Sequence, residues 1–307
     1  MTKNPNNYSF TIITPAYNTE KYIETCIKAV INSKYDLNKI EHIIVDDGST
    51  DNTYKIAKKY ADKYPHIKLY KKQNTNIGGV FNYVRKNKLI HNDYVIVSDT
   101  DDAILPKAFY HINRFSRDED LIFTNFYKWN GKHGKFPAHT YYYFFKRLAH
   151  TKKTNKKIPP FIWMAHGTFV KKEIYYKMHD LKDHTLYQDN IMVMYWFLNA
   201  KIIRYINRFT EKYYESRPGN CSDHAKEEKN ILTQVENGKT LAKNNIPEPL
   251  INILIYFRAF RKYCQKNNIV FTFKNKPKFN NVTFLMRILL CIAYYCSGVK
   301  KLIKIKK

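Results

Sequence analysis

With 307 residues, 44% of them apolar and 16% aromatic, the chain is long enough to bury a full core and too rich in aromatics to be a disordered segment or a small stapled scaffold. Charge is the unusual quantity: 53 Lys and Arg against 26 Asp and Glu leave a formal +27, a field that draws nucleic acid, an anionic membrane or phosphorylated small molecules. Five irregularly spaced cysteines, Cys26, Cys221, Cys264, Cys291 and Cys296, match no zinc pattern and argue against a disulfide framework.

Residues 1–8 carry no apolar run behind Lys3, so no secretory signal is expected and the cytoplasm is the expected compartment. Phe10–Ile13 then reads as a strand, and Tyr22, Ile23, Cys26, Ile27, Val30 and Ile31 follow at helical spacing. A strand at His42–Val45, a helix over Asn52–Tyr64, a strand at Ile67–Tyr70, a further helical stretch and a strand at Tyr94–Val97 continue the alternation. Strand and helix in turn predict an α/β fold of βαβ units with a mainly parallel sheet flanked by helices. Ligands of such sheets bind beyond the carboxyl ends of the strands. Thr14-Pro15-Ala16-Tyr17-Asn18 follows the first strand, Asp46-Asp47-Gly48-Ser49-Thr50-Asp51 the second and Ser98-Asp99-Thr100-Asp101-Asp102 the fourth. Acidic residues of a very basic protein are therefore expected along one sheet edge.

Farther on, Leu105–Phe115 reads as a helix, and residues 121–172 are rich in Lys and Arg without one acidic residue, interleaved with Tyr141-Tyr142-Tyr143-Phe144-Phe145. Leu186–Leu198 is a further helix, and Arg217-Pro218-Gly219-Asn220 a turn or loop. Beyond Glu248 no acidic residue occurs. The boundary is drawn near Cys221, giving a catalytic domain over 1–220 and a helical, basic C-terminal region over 221–307.

Three carboxylates in the four residues Asp99–Asp102 repel one another, and at a strand end they call for a cation whose hard oxygen preference suits Mn2+ or Mg2+. A solvated acidic turn capping the next helix is the other reading. Asp46–Asp51 likewise reads either as ordinary turn chemistry or as a carboxylate reaching the base edge of a nucleotide. Co-occurrence separates these readings. Thr14–Asn18, Val45–Asp51, Asn76-Ile77-Gly78-Gly79-Val80 and Asp99–Asp102, in that order within about the first hundred residues, resemble the motifs of family 2 glycosyltransferases with the GT-A fold. The resemblance implies a nucleotide-sugar donor, with a UDP-sugar as the first expectation, a divalent metal, and transfer to an acceptor hydroxyl with inversion. By matched positions it implies that Pro15, Tyr17, Asp46 and Asp47 line the nucleoside pocket, that Asp99 sits by the ribose, and that Asp101 ligates the metal while Asp102 supports the site.

Two departures stand out. Where the family continues its Gly-Gly with a small residue and an Arg-Asn pair, this chain reads Phe81-Asn82-Tyr83-Val84-Arg85, so the phosphate-facing role is assigned to Arg85. Where the family opens a helix with Glu-Asp, the match is Gln188-Asp189, and Asp189 is the expected base. Such a base is needed because a hydroxyl is a weak nucleophile, and a metal with basic side chains answers the charge gathering on the departing diphosphate. Arg217 resembles a late basic loop closing over that diphosphate. His166, a lone histidine before Gly167-Thr168, reads first as structural and second as an acceptor-side contact.

The apolar run Phe284–Tyr295 is interrupted by Arg287 and is followed by a Lys cluster ending at Lys307. It falls short of the roughly 20 residues a spanning helix needs, so it reads as an interfacial helix that holds the protein peripherally on the anionic cytoplasmic face of a membrane, or else as a buried packing helix. A membrane location suits a lipid-linked or sugar acceptor in cell-surface polysaccharide or glycolipid synthesis. A nucleic-acid partner is not expected, because it leaves the acidic strand ends unexplained. A nucleotidyltransferase or a sugar-nucleotide-binding protein without catalysis shares the phosphate logic and is the remaining alternative. The missing GxGxxG after the first strand excludes a dehydrogenase.

Overall fold

A computed structural model describes residues 7–129, 136–137, 165–186 and 188–214, together with Thr233 and Asn237. The chain divides into two compact units, Met1–Asn155 with Met164–Arg217 and Lys156–Trp163 with Pro218–Lys307. Nearly all described residues belong to the first.

The elements in order are β1 (Phe10–Ala16), α1 (Ile23–Ile31), a 3-10 turn (Leu37–Lys39), β2 (Ile40–Asp46), α2 (Thr53–Lys63), β3 (Ile67–Lys71), α3 (Asn76–Lys86), β4 (Tyr94–Val97), β5 (Ala103–Ile104), α4 (Ala108–Phe115), β6 (Leu121–Trp129), β7 (Phe136–Pro137), β8 (Thr168–Lys171), α5 (Lys172–Tyr176), α6 (Gln188–Asn199) and β9 (Ile203–Tyr214). They form one sheet in the order β3-β2-β1-β4-β8-β6-β9-β5, with β7 on β6. β3, β2, β1 and β4 run parallel, β8 lies antiparallel between β4 and β6, and β9 runs parallel to β6. The expected mixed α/β, largely parallel sheet is therefore present, with β8 and the short β5 and β7 as its antiparallel members.

Burial explains the parallel half. Every residue of β2 and β4 is buried, as strands covered by helices on both faces must be. Phe10, Ile12, Ile40, Tyr94 and Ile96 pack in one cluster with Val30, Phe109 and Ile112 from α1 and α4. Ile44 and Ala16 join Ile23, Ile27, Ala57 and Tyr60 from α1 and α2. On α1 the buried residues are Ile23, Cys26, Ile27 and Val30, the i, i+3, i+4, i+7 stripe of a helix laid on a sheet. Strand order reverses on either side of β1 and β4, so a crevice is expected where their carboxyl ends part. That is where the acidic turns lie.

One polar group sits inside this core. His42 on β2 is fully buried, with Nε2 2.9 Å from Thr14 Oγ1. Burial, aided by the positive field of His66, pulls its pKa down to about 3. Unfolded histidine protonates near 6.5, so the unfolded chain binds the extra proton between about pH 6.5 and pH 3, and stability falls as pH drops through that window but is unaffected above it. The group should remove on the order of 2 kcal/mol between pH 7 and pH 5. The expected result is a urea midpoint that falls over this interval more steeply in the native chain than in His42→Gln. Parallel profiles for the two chains would contradict it.

Candidate functional site

The turns after β1 and β2 are laced together. Asn18, at φ 50°, accepts the Thr50 N–H at 2.9 Å and donates its own N–H to Ser49 Oγ at 3.0 Å. Thr19 N–H donates to Thr53 Oγ1 at 2.7 Å, and Glu20 accepts the Asn52 N–H at 3.0 Å. This rim holds Tyr17 49% exposed just past the buried end of β1, a flat apolar ring offered to a partner. Pro15 lies within β1 opposite Val45 and is partly exposed.

The two carboxylates at the end of β2 behave differently. Asp47 is buried and accepts from Lys72 Nζ at 2.6 Å and from the Thr75 N–H at 3.1 Å. Burial raises its pKa, against these bonds. Its carboxylate thus ties the β2–α2 turn to the β3–α3 loop. Asp46 is fully buried, with Oδ1 3.4 Å from the Ser49 N–H and Oδ2 in no hydrogen bond among the described residues. Gly48, at φ +81°, lets the Asn74 amide approach to 3.1 Å of where a Cβ would stand. That combination requires glycine. Gly79 is equally constrained, because a Cβ there would overlap Thr75 Oγ1 and Cβ.

After β4 the chain turns tightly, with the Asp102 N–H donating to the Asp99 carbonyl at 3.1 Å. Asp102 is buried, and its Oδ1 accepts the Tyr214 N–H at 2.8 Å. Its Oδ2 faces His166 Nδ1 at 3.1 Å, and Glu211 Oε2 lies 3.6 Å from the same nitrogen while accepting the Gly167 N–H at 2.8 Å. Burial opposes charge on the ring, but Asp102 and then Glu211 outweigh it and hold the His166 pKa well above the ordinary value. Burial lifts Asp102 to about 6 against the pull of His166. Burial also raises Asp99 well above the carboxylate range, with Asp102, Asp101 and Asp189 adding repulsion and His166 opposing it.

Ligand atoms of Asp99, Asp102 and His166 all lie within 4.8 Å of one another. Crowded carboxylate oxygens, with Asp102 Oδ2 buried against His166 Nδ1, are a donor set that fits a hard divalent cation. Asp102 and His166 already pair with each other, whereas Asp99 and Asp101 are partly exposed.

Asp189 stands in the first turn of α6, partly exposed, and its charge reaches Asp99. The structure therefore gathers Asp99, Asp101, Asp102 and Asp189 in one field, with Tyr17, Asp46 and Asp47 on the neighbouring strand ends. It does not gather Arg85. That residue lies in the last turn of α3, about 13 Å along the helix from Asn76, and makes an ion pair with Asp180, which Lys86 also meets at 2.8 Å. Arg217 and the tail 284–307 lie outside the described residues. Glu211 was not singled out in the sequence, where it is one acidic residue in a mixed polar strand. His166 reads from the sequence as structural first and as an acceptor-side contact second, and the structure pairs it with Asp102.

The mixed, largely parallel sheet flanked by helices is that of the GT-A fold, and solved structures share that fold. The chain is similar to S. aureus TarS 1-349 in complex with UDP-GlcNAc, at TM-score 0.59 and 19% identity over 84% of this chain and 73% of that one. It is also similar to mannosyltransferase PcManGT from Pyrobaculum calidifontis in complex with GDP-Man and Mn2+, at TM-score 0.57 and 14% identity over 95% and 82%. An uncharacterized glycosyltransferase of Mycoplasma genitalium is 30% identical over 288 residues, 92% of this chain and 95% of its relative. The family model "Glycosyl transferase family 2" matches residues 11–177, more than half of the chain. The chain belongs to family 2 of the glycosyltransferases.

Proposed function

We propose that the chain moves a sugar from a nucleoside diphosphate donor, a UDP-sugar being the first to test, onto an acceptor hydroxyl with inversion. The observation that carries this reading is the convergence of Asp99, Asp101 and Asp189 in one field beside the nucleoside-side turns of β1 and β2. Tyr17 stacks on the base, with Pro15 beside it. Asp46, whose buried Oδ2 completes no hydrogen bond among the described residues, accepts a base or ribose donor, and Asp47 holds the pocket wall through Lys72 and Thr75. Asp99 meets the ribose. Asp101, with Asp99 next to it, would hold Mn2+ or Mg2+, which when bound stabilises negative charge on the diphosphate.

Asp189 takes the proton of the acceptor hydroxyl as that oxygen bonds to the anomeric carbon. The bond from that carbon to the phosphate oxygen breaks on the opposite side, and its electron pair leaves with the nucleoside diphosphate. Displacement from the opposite face inverts the anomeric configuration. Asp102, His166 and Glu211 support the acidic turn from beneath. Arg217 contributes positive charge to the leaving group, and Arg85, engaged with Asp180, acts on the diphosphate only if that pair opens.

The experiment is a panel of UDP-glucose, UDP-galactose, UDP-N-acetylglucosamine and GDP-mannose with Mn2+, reading nucleoside diphosphate released. Release from none of them, with no binding of UDP or GDP, would remove the transferase reading. Release of pyrophosphate on mixing a nucleoside triphosphate with a sugar phosphate would favour a nucleotidyltransferase.

No described helix is long and apolar enough to cross a membrane. We place the basic C-terminal region, 221–307, at the anionic cytoplasmic face, where each Lys or Arg near the surface contributes on the order of 1 kcal/mol and a sugar or lipid-linked acceptor is at hand. Truncation before Asn281 should abolish co-sedimentation with anionic vesicles. Equal pelleting of the full and shortened chains would take the tail out of the account.

A further inference from the structure

The two departures from the family pattern, Asn82 on α3 and Gln188 on α6, meet at one stretch of backbone. Asn82 is buried, donates from Nδ2 to the Leu181 carbonyl at 2.7 Å and accepts the Leu181 N–H on Oδ1 at 2.9 Å. One side-chain amide thus satisfies both backbone groups of one residue. The next N–H, that of Lys182, donates to Oε1 of buried Gln188 at 3.0 Å. Thr75, just before α3, accepts the His184 N–H at 2.8 Å. Gly78 makes the approach possible: a Cβ there would lie 2.8 Å from the Lys182 carbonyl and 3.1 Å from Gln188 Cγ. Residues 181–184 are therefore laid along the first half of α3, and the residue that grips them from the other side is the immediate neighbour of Asp189.

Resting on the proposed role of Asp189 as base, we infer that Asn82 and Gln188 are positioning residues that fix the first turn of α6, and with it the Asp189 carboxylate, relative to the donor edge of the sheet. A base must stand within about 2.6–3.2 Å of the proton it removes, and a displacement of about 1 Å can lower turnover about 10²-fold. Three directional bonds, the two at Asn82 between buried partners and the third from the exposed Lys182 to buried Gln188, supply that precision, where apolar packing alone would leave the helix free to slide. The Gln for Glu exchange fits the same purpose. An amide oxygen accepts the Lys182 N–H as a carboxylate would, without placing a further negative charge beside Asp189.

The test is a set of double-mutant cycles between Asp189→Asn and each of Asn82→Ala and Gln188→Leu. Turnover is read as nucleoside diphosphate released from UDP-N-acetylglucosamine, or from whichever member of the panel above is used fastest. Each single variant should lose tenfold or more in kcat, with KM for the donor and the affinity for UDP or GDP with Mn2+ within about twofold of native. In the Asp189→Asn background neither should lower kcat further, because residues that act through one group are not additive. Gln188→Glu, which keeps the acceptor, should retain kcat within about threefold.

Losses that add to that of Asp189→Asn would make the two residues ordinary packing and overturn the inference. Native kcat in folded Asn82→Ala and Gln188→Leu, beside a slow Asp189→Asn, would overturn it while leaving the base in place. Native turnover in Asp189→Asn itself would remove the base reading and this inference together. If Gln188→Leu does not fold, Gln188→Glu decides, and a tenfold loss of kcat there would count against the clamp.

Discussion

Asp189→Asn should lower sugar transfer by roughly 10²-fold or more, the usual scale for loss of a general base, while the affinity for UDP or GDP with Mn2+ stays within about twofold. The substitution keeps the size of the side chain and removes only its capacity to take a proton. Donor contacts are assigned to the carboxyl ends of β1, β2 and β4, whereas Asp189 comes from the first turn of α6, so the two readouts are expected to separate. Neutralising a carboxylate in a first helical turn forfeits a helix-dipole interaction of only about 0.3–1 kcal/mol, too little for a gross folding defect in the variant. Steady-state kinetics on the panel donor, with calorimetry for binding, measure both. Full transfer in the variant would move the base elsewhere.

Asp101→Ala should abolish the gain in nucleoside diphosphate affinity that Mn2+ or Mg2+ confers. In the native chain, binding of UDP or GDP should strengthen at least about tenfold when metal is added, about 1.4 kcal/mol, and in the variant the curves with and without metal should coincide. Asp99 is already pushed toward the protonated form by burial and by its like-charged neighbours Asp102 and Asp101, so a divalent cation bound there would relieve their repulsion. Removing Asp101 lowers that repulsion and removes a ligand. Calorimetry with and without chelator reads the result. Unchanged metal dependence in Asp101→Ala would return attention to the Asp99, Asp102 and His166 atoms within 4.8 Å of one another.

The parallel half of the sheet was legible in the sequence because its strands carry their own signal. Tyr94–Val97 is apolar throughout and ends where it is expected to end, while Phe10–Ile13 is the first part and His42–Val45 the centre of a longer strand. Helix boundaries fell within a few residues, as for Asn52–Tyr64 against Thr53–Lys63. β6 and β9 were not found. Their buried residues include Thr124, Asn125, Thr210 and Glu211, and several of their polar side chains pair with partners far along the chain, as Glu211 does with the Gly167 N–H, 44 residues earlier. No local periodicity reports such pairings. The acidic strand ends could be read because chain direction alone puts them on one edge. The family resemblance assigns Arg85 the phosphate-facing role, yet its separation from that edge depends on which end of α3 it occupies and on Asp180, 95 residues away. The Asn82 and Gln188 exchanges could be read only as departures, since their common partner, residues 181–182, is brought to them by the packing of α3 against α6.

The lacing of the turns after β1 and β2 has a thermodynamic consequence. Asn18, Thr19 and Glu20 are fastened to Ser49, Thr50, Asn52 and Thr53 by side-chain bonds internal to the protein, so their backbone freedom is lost once, at folding, at a cost of roughly 1–2 kcal/mol per residue. A nucleotide bound beside Tyr17 as proposed would meet a jaw already set and would not have to order it. Base affinity at this edge should therefore depend on the ring and carboxylates presented, with little heat-capacity change beyond the apolar area covered. Loosening a single stitch, even one that touches no ligand, would make the donor order the loop each time it binds.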